Sequence, residues 1–145
     1  MVVLGTNLAW EAAQIPLYTL WMTGTANEII FAILHCTGGD LLIAANVLIL
    51  ALLLAGNPAW PSAGHRRVAA LTLLLGLGYT AFSEWLNTVV RGAWAYSDIM
   101  PVIRFLGLEF GVSPLLQWIL LPSLALWWAG RTTRQTAPGE GVATR

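Results

Sequence analysis

Four long stretches of this sequence are almost free of charged residues, and they constrain the fold more than any other feature. A helix that crosses the hydrocarbon core of a bilayer needs about 20 mostly apolar residues. Residues 28–55, 68–90 and 105–129 reach that length, and residues 1–22 come close to it. Only 10% of the residues are charged, whereas a soluble domain carries about 25%. The sequence therefore predicts an all-α fold, a polytopic transmembrane helix bundle with four spans.

The first of these stretches is interrupted by Glu11, Gln14 and Pro16. It has neither the basic start nor the small-residue cleavage site of a secretory signal peptide. A proline within a membrane helix is tolerated where neighbouring helices satisfy the freed backbone groups. We therefore expect residues 1–22 to form a first spanning helix that is kinked at Pro16.

Short turn-like segments separate the predicted spans. Residues 23–27 and 57–64 are rich in Gly, Pro, Asn and Ser, and residues 92–101 read GAWAYSDIMP, which is aromatic and turn-like. Residues 131–145 have no apolar face and are typical of a disordered segment. The sequence thus predicts one transmembrane domain, residues 1–130, and a flexible cytoplasmic tail, residues 131–145.

The distribution of arginine predicts the orientation of the chain. The second loop and the tail carry five arginines, whereas the first and third loops carry two. Cytoplasmic loops of membrane proteins are enriched in Lys and Arg. We therefore expect both termini to lie in the cytoplasm.

The polar residues of the four predicted spans gather in the middle-to-outer half of the membrane. On each helix they recur at intervals of three, four or seven residues, which places them on one face. These stripes are Glu11, Gln14 and Tyr18; Cys36 and Asp40, with His35 beside them; Thr80, Glu84, Asn87 and Arg91; and Glu109, Ser113 and Gln117. A bundle with the stripes facing inwards would enclose an outward-facing polar pocket, closed at its inner end by Leu, Ile, Val and Ala.

Ionisable groups at this depth indicate a functional site. A charge at the bilayer centre costs roughly 2.5–3.5 kcal/mol on insertion scales, so an intramembrane carboxyl group is a functional candidate by default. Carboxyl groups of differing burial, an imidazole and an arginine together suit general acid/base chemistry. The predicted catalytic residues are Glu84, His35, Asp40 and Glu11. The predicted substrate-binding residues are Gln14, Tyr18, Asn87, Arg91, Trp94, Tyr96, Ser113 and Gln117.

Other chemistries fit the sequence less well. His35 and Cys36 are adjacent, so their side chains diverge by about 100° on a helix and do not form a nucleophile–base pair. Neither histidine follows a glutamate by three residues, the spacing found in di-iron helix bundles. A single metal held by His35 and a carboxylate has no signature spacing, so we predict no metal site and assign no cofactor. The formal net charge of zero gives no reason to expect nucleic-acid binding.

Four segments carry a resemblance to known proteins. AWEAAQIPLYTLW, LHCTGGD, SEWLNTVVRGAWAYSDIMP and SPLLQW together resemble a family of small bacterial four-helix integral membrane proteins. The resemblance covers residues 10–128, nearly the whole chain. It implies four spans and a multi-pass location in the bacterial inner membrane, and it implies no activity.

The function predicted from these residues is the binding or acid/base conversion of a hydrophobic small molecule. A lipid, an isoprenoid or a quinone could reach the pocket from the surrounding membrane lipids. Alternatively, the polar stripes hold helices together in a non-catalytic subunit or assembly factor of a membrane complex, or in a homo-oligomer. A further alternative is a small transporter that uses Glu11, Asp40 and Glu84 as a proton or cation relay. The apolar inner halves of the predicted helices argue against such a relay.

Overall fold

The computed structural model describes residues 2–135, and helix is its dominant secondary structure. The helices are α1 (Val2–Gln14), α2 (Leu20–Thr23), α3 (Ala26–Ala55), α4 (His65–Trp85) and α5 (Val112–Gln135). A 3₁₀ turn, Ile15–Leu17, follows α1, and a π-helical turn, Leu86–Val90, follows α4. Two strands, β1 (Val102–Phe105) and β2 (Leu108–Gly111), precede α5.

Three helical segments are long and apolar enough to cross a membrane. They are Ala26–Ala55, His65–Val90 and Val112–Arg131. Their positions agree with the predicted second, third and fourth spans. The structure therefore contains helices with the length and apolarity that the predicted second, third and fourth spans require.

The first predicted span is not a single helix in the structure. Helix α1 has 13 residues, which corresponds to about 20 Å against a hydrocarbon thickness of about 30 Å. It ends at Gln14, and the chain continues through the 3₁₀ turn to Tyr18, whose backbone is extended. Pro16 has no N–H group, and its ring would clash with the carbonyl four residues earlier in a helix. The proline thus ends the helix, where the sequence predicted a kink.

Helix α3 begins with a capping box, in which Thr25 and Glu28 bind each other's backbone N–H groups. The Thr25 hydroxyl accepts a hydrogen bond from the backbone N–H of Glu28, at 3.4 Å. The Glu28 carboxylate accepts one from the backbone N–H of Thr25, at 2.7 Å. The two bonds satisfy donors that a helix start leaves without partners. Glu28 is therefore a capping residue, which explains a charge at this end of the longest helix.

The segment before α5 is a β-hairpin, and it corrects the predicted all-α fold. The turn residues Leu106 and Gly107 both have positive φ, at 51° and 78°, as the two central positions of a type I′ turn require. Arg104 lies opposite Glu109 in the register, and its Nε donates to Glu109 Oε1 at 2.7 Å. Because the hairpin occupies residues 102–111, α5 begins at Val112, and Glu109 lies on a strand outside the predicted helical stripe.

The boundary of the predicted tail also moves. Helix α5 continues to Gln135, so residues 131–135 belong to the helix that precedes the tail. The remainder of the predicted tail, residues 136–145, lies outside the described residues.

Side-chain burial follows the pattern of a membrane protein. Helix α1 packs against α3 and α5, and α4 packs against the same two helices. Large apolar residues such as Phe31, Leu53 and Leu74 are exposed on the outer faces of these helices, where lipid would solvate them. Polar residues such as Glu11 and Gln117 are buried between the helices, as expected where interhelical hydrogen bonds contribute to packing.

Candidate functional site

The polar stripe of α1 faces α3 and α5 and forms a hydrogen-bonded group with residues on both helices. We call this group the amide–carboxyl cluster, and it consists of Asn7, Glu11, Gln14, Asp40, Ser113 and Gln117. All except Asp40 and Ser113 are buried. The intervals of four and three residues from Asn7 to Gln14 place the α1 members on one helical face. The cluster therefore joins side chains that the sequence predicted on three separate helices.

Gln117 is the centre of this cluster. Its side chain is only 2% exposed. Its Nε2 donates to Asp40 Oδ2 at 2.7 Å and to Asn7 Oδ1 at 3.1 Å. One amide thus connects α5 to both α3 and α1.

Gln14 completes the amide network on the other side of the cluster. Its Nε2 donates to Glu11 Oε1 at 2.8 Å and to Gln117 Oε1 at 3.4 Å. Its Oε1 accepts a hydrogen bond from the Ser113 hydroxyl at 2.7 Å. These partners hold Gln14 and Glu11 in fixed orientations at the point where α1 ends.

Two carboxyl groups meet within the cluster. The side chains of Glu11 and Asp40 interact electrostatically with each other. Among the described side chains, residues 2–131, the ion pair is Arg104 with Glu109 on the hairpin, so none of these residues supplies a paired cation to the two carboxyl groups. Two close carboxylates repel each other unless a proton lies between them. A pair of this kind can accept and return a proton.

A second polar group lies beside the cluster on α4. The Tyr96 hydroxyl donates to Glu84 Oε2 and accepts a hydrogen bond from the backbone N–H of Gly111 at 2.9 Å. Burial raises the pKa of the Tyr96 phenol above its ordinary value, and the hydrogen bond to Glu84 acts in the same direction. The phenol therefore remains a hydrogen-bond donor to Glu84 at physiological pH. Glu84 is 5% exposed and interacts electrostatically with Glu11.

Backbone hydrogen bonds join the loop that follows α4 to the non-helical segment that follows α1. The backbone N–H of Thr19 donates to the carbonyl of Ala95, and the N–H of Ser97 donates to the carbonyl of Leu17, both at 2.9 Å. The Tyr18 ring packs against Trp94 and Tyr96, with ring centroids 6.5 and 5.8 Å apart. The break at Pro16 frees these backbone groups from helical bonding, so it positions the aromatic residues beside Glu84.

Three predicted site residues lie apart from these groups. His35 is exposed and stacks on Phe31, with ring centroids 5.4 Å apart. Asn87 is buried, but its amide donates to the Ser83 carbonyl on its own helix at 2.8 Å. Arg91 is exposed and forms no ion pair within residues 2–135. The geometry places neither His35 nor Arg91 near the buried carboxyl groups.

A cavity of about 280 Å³ begins at the amide–carboxyl cluster. Asn7, Asp40 and Gln117 form its polar end. Its other lining residues are mostly apolar: Val3, Leu41, Ala44, Ala45, Leu48, Thr72, Trp118, Leu121, Pro122, Ala125 and Leu126. The cavity thus follows residues 40–48 of α3 and the middle of α5, residues 117–126, where the sequence predicted closed apolar packing. The cavity stays open for two reasons. The alanines on its walls have small side chains, and α1 contributes only Asn7 and Val3 to its lining.

Sequence reasoning missed one residue of this site. Asn7 precedes Glu11 by four residues and continues the same polar stripe, so the helical periodicity already contained the signal that would find it. Trp118 directly follows Gln117, and this position in the sequence predicts an aromatic wall beside the polar groups; the structure buries Trp118 beside the cavity.

No protein-family model, curated protein or solved structure matches this chain. Within residues 2–135, no group of three His, Cys, Asp or Glu side chains is arranged to hold a metal ion. The function is therefore inferred from the hydrogen bonds, the burial and the cavity of the site.

Removing the Tyr96 hydroxyl should loosen the hairpin from α4. In Tyr96→Phe, Glu84 loses a donor and the Gly111 N–H loses its acceptor, so we expect the free energy of unfolding to fall by about 1–3 kcal/mol. Because the phenol pKa is raised above 10.0, this contribution is present below pH 10 and is lost in more alkaline solution. Hydrogen–deuterium exchange should show faster exchange of the Gly111 amide.

The matched control is Tyr79→Phe, which removes a hydroxyl from a tyrosine that is 47% exposed on α4. Exchange at Gly111 should not change in this control. Equal exchange in both variants would show that the Tyr96 hydroxyl does not hold the hairpin.

Proposed function

We propose that this protein binds a hydrophobic small molecule from the bilayer and presents its polar end to the paired carboxyl groups for acid/base chemistry. The observation that carries the proposal is the cavity with one polar end and apolar walls. Its polar end coincides with Asp40, which Gln117 orients and which adjoins Glu11. A lipid, an isoprenoid or a related molecule has the same division between an apolar chain and a polar head.

The dimensions and surroundings of the cavity support a ligand site. Small-molecule sites are mostly apolar clefts of roughly 300–1,000 Å³ with a few convergent polar groups, and this cavity is close to the lower end of that range. Its apolar walls lie on α3 and α5, two of the three helices apolar enough to span a membrane. An apolar chain that moved from the bilayer into the space between these helices would remain in an apolar environment.

Glu11 and Asp40 are proposed as the proton-transferring groups. Gln14 donates a hydrogen bond to one oxygen of Glu11, and Gln117 donates one to an oxygen of Asp40. These bonds orient both carboxyl groups, and the second oxygen of each is not bound by those amides. Glu84 is proposed to act beside them, because Tyr96 holds it and it interacts electrostatically with Glu11. Such fixed orientation is what general acid/base catalysis requires.

We further propose that the protein is a bacterial inner-membrane protein of the family that its sequence resembles. In this arrangement α1, the 3₁₀ turn and α2 together form a fourth, interrupted membrane segment that completes a bundle with α3, α4 and α5. The five arginines of the second loop and the tail support a cytoplasmic location for both termini. The cavity would then lie towards the cytoplasmic half of the bilayer, whereas the sequence alone favoured an outward-facing pocket.

Filling the cavity tests the proposed function. Ala44→Leu places extra apolar atoms on the cavity wall, so lipid that co-purifies with the protein in mild detergent should be lost from this variant. Native mass spectrometry would detect the bound molecule. The control is Ala70→Leu, which adds the same atoms at an exposed position of α4 and should leave the bound molecule in place. If both variants retain it equally, the cavity is not the binding site.

A non-catalytic subunit is the second candidate, and the amide network favours it. Gln14 and Gln117 form hydrogen bonds from α5 to α1 and α3, which is what structural polar residues do between membrane helices. In that case mild purification should yield a stoichiometric protein partner, and Ala44→Leu should not alter any bound lipid. The transporter alternative gains no such support, because the cavity walls beyond the cluster are mostly apolar.

A further inference from the structure

The hydrogen-bond donors of the amide–carboxyl cluster are almost all used within it. A primary amide has two N–H groups. Those of Gln117 go to Asp40 and Asn7, at 2.7 and 3.1 Å. Those of Gln14 go to Glu11 and to the Gln117 carbonyl, at 2.8 and 3.4 Å. One N–H of Asn7 goes to the carbonyl of Val3, at 2.8 Å, which leaves one Asn7 N–H beside the cavity.

Hydrogen-bond acceptors remain in excess at the same place. A carboxylate offers about four lone-pair positions on its two oxygens. Glu11 and Asp40 each accept one amide hydrogen bond from the cluster, and Asp40 also interacts with the Trp118 indole. A proton held between the two carboxyls would be used within the pair and would add no donor towards the cavity. Asp40 therefore presents acceptor capacity to the cavity.

None of the cationic side chains that the structure describes, in residues 2–131, lines the cavity. The arginines with described side chains, Arg66, Arg67, Arg91, Arg104 and Arg131, are all exposed, and none contributes to the cavity wall. Neither histidine lines it. A phosphate or carboxylate head would therefore meet the Asp40 carboxyl group, and no cation from residues 2–131 would neutralise it. A head that only accepts hydrogen bonds, such as a quinone carbonyl, would add no donor for the acceptor positions of Asp40 that Gln117 leaves unused.

We infer that the cavity selects a single-chain amphiphile whose head group donates a hydrogen bond, namely a long-chain alcohol or amine. This inference rests on the proposed function and specifies its ligand class. A hydroxyl head would donate to Asp40 and accept from the remaining Asn7 N–H, and its chain would extend between α3 and α5. An amine head would donate to Asp40 in the same way.

Four probes of equal chain length distinguish this class from others. Decanol and decylamine have donor heads, methyl decanoate only accepts hydrogen bonds, and decanoate is anionic. Ligands that bind the folded state raise the midpoint of thermal unfolding, so the shift can be measured for each probe in maltoside micelles. We expect decanol and decylamine to bind at least about tenfold more tightly than the other two, as the cost of an unpaired buried group implies.

Two variants make the outcomes unambiguous. Ala44→Leu should abolish the shifts caused by decanol and decylamine, which would show that they bind in the cavity. Asp40→Asn replaces an acceptor by a group that can also donate, so the preference for donor heads should weaken. Two outcomes would overturn the ligand class and leave the proposed function intact. In the first, all four probes bind equally and lose binding in Ala44→Leu; in the second, decanoate binds most tightly. Absence of any cavity-dependent binding would overturn both.

Discussion

Replacing Gly76 by alanine should lower the stability of the protein more than any other single-atom addition within a helix. A Cβ at this position would overlap the six-membered ring of Trp118. Trp118 is buried, so the ring cannot move aside without displacing its neighbours on α5. Overpacking of a closely packed interior costs about 1–3 kcal/mol. The free energy of unfolding, measured by titration with SDS in mixed micelles, should fall by that amount.

Gly78→Ala is the matched control, because it lies on the same helix and a Cβ there would meet nothing within 4 Å. Its stability should equal or slightly exceed that of the unmodified protein, since alanine favours the helical state over glycine. Since Trp118 also lines the cavity, Gly76→Ala should weaken ligand binding as well. If the two variants are equally stable, then α4 and α5 do not approach each other at Gly76 as the structure shows.

Gln117→Leu should have the second large effect, because it removes the centre of the amide–carboxyl cluster. Leucine has a similar size but leaves Asp40 Oδ2 and Asn7 Oδ1 without their donor. Interhelical hydrogen bonds in membranes contribute about 0.6–2 kcal/mol each, so losing these two should cost roughly 1–4 kcal/mol. The same SDS titration would measure the loss, and binding of decanol should fall with it because Asp40 is no longer oriented.

Asn46→Leu provides the control for an amide replaced by leucine. Asn46 is exposed, and its amide donates only to the Leu42 carbonyl of its own helix among the hydrogen bonds of residues 2–135. This variant should keep its stability or gain slightly, since an exposed amide is replaced by an apolar side chain. A loss as large as that of Gln117→Leu would show that any polar-to-apolar change is harmful, and that the cluster has no special role.

The cluster was accessible to sequence reasoning because helical periodicity is a local property. The stripe Glu11 and Gln14, the isolated Asp40 and the pair Ser113 and Gln117 could be recognised without knowing how the helices pack. Their assembly was expected only because intramembrane polar groups seek one another. The structure places these five residues in one hydrogen-bonded group.

Two elements of the fold could not be derived in the same way. Helix α1 can end near Pro16 because the backbone groups that follow the proline form hydrogen bonds outside the helix. Their hydrogen-bond partners are Ala95 and Ser97, which are distant in the sequence. The hairpin depends on the Gly111 N–H meeting the Tyr96 hydroxyl and on β2 packing against α4. In the sequence alone, residues 105–111 read equally well as the apolar start of a helix.

The amino-acid sequence was enough to predict a membrane protein with apolar helices and one polar face on each. That follows from hydropathy and helical periodicity, which each segment carries independently. The tertiary structure decided which polar groups meet, that His35 and Arg91 stay outside, and that a cavity opens between α3 and α5. These features arise where side chains from distant segments contact one another, as Gly76 and Trp118 or Gln117 and Asp40 do. The space left between helices depends on all of their contacts together.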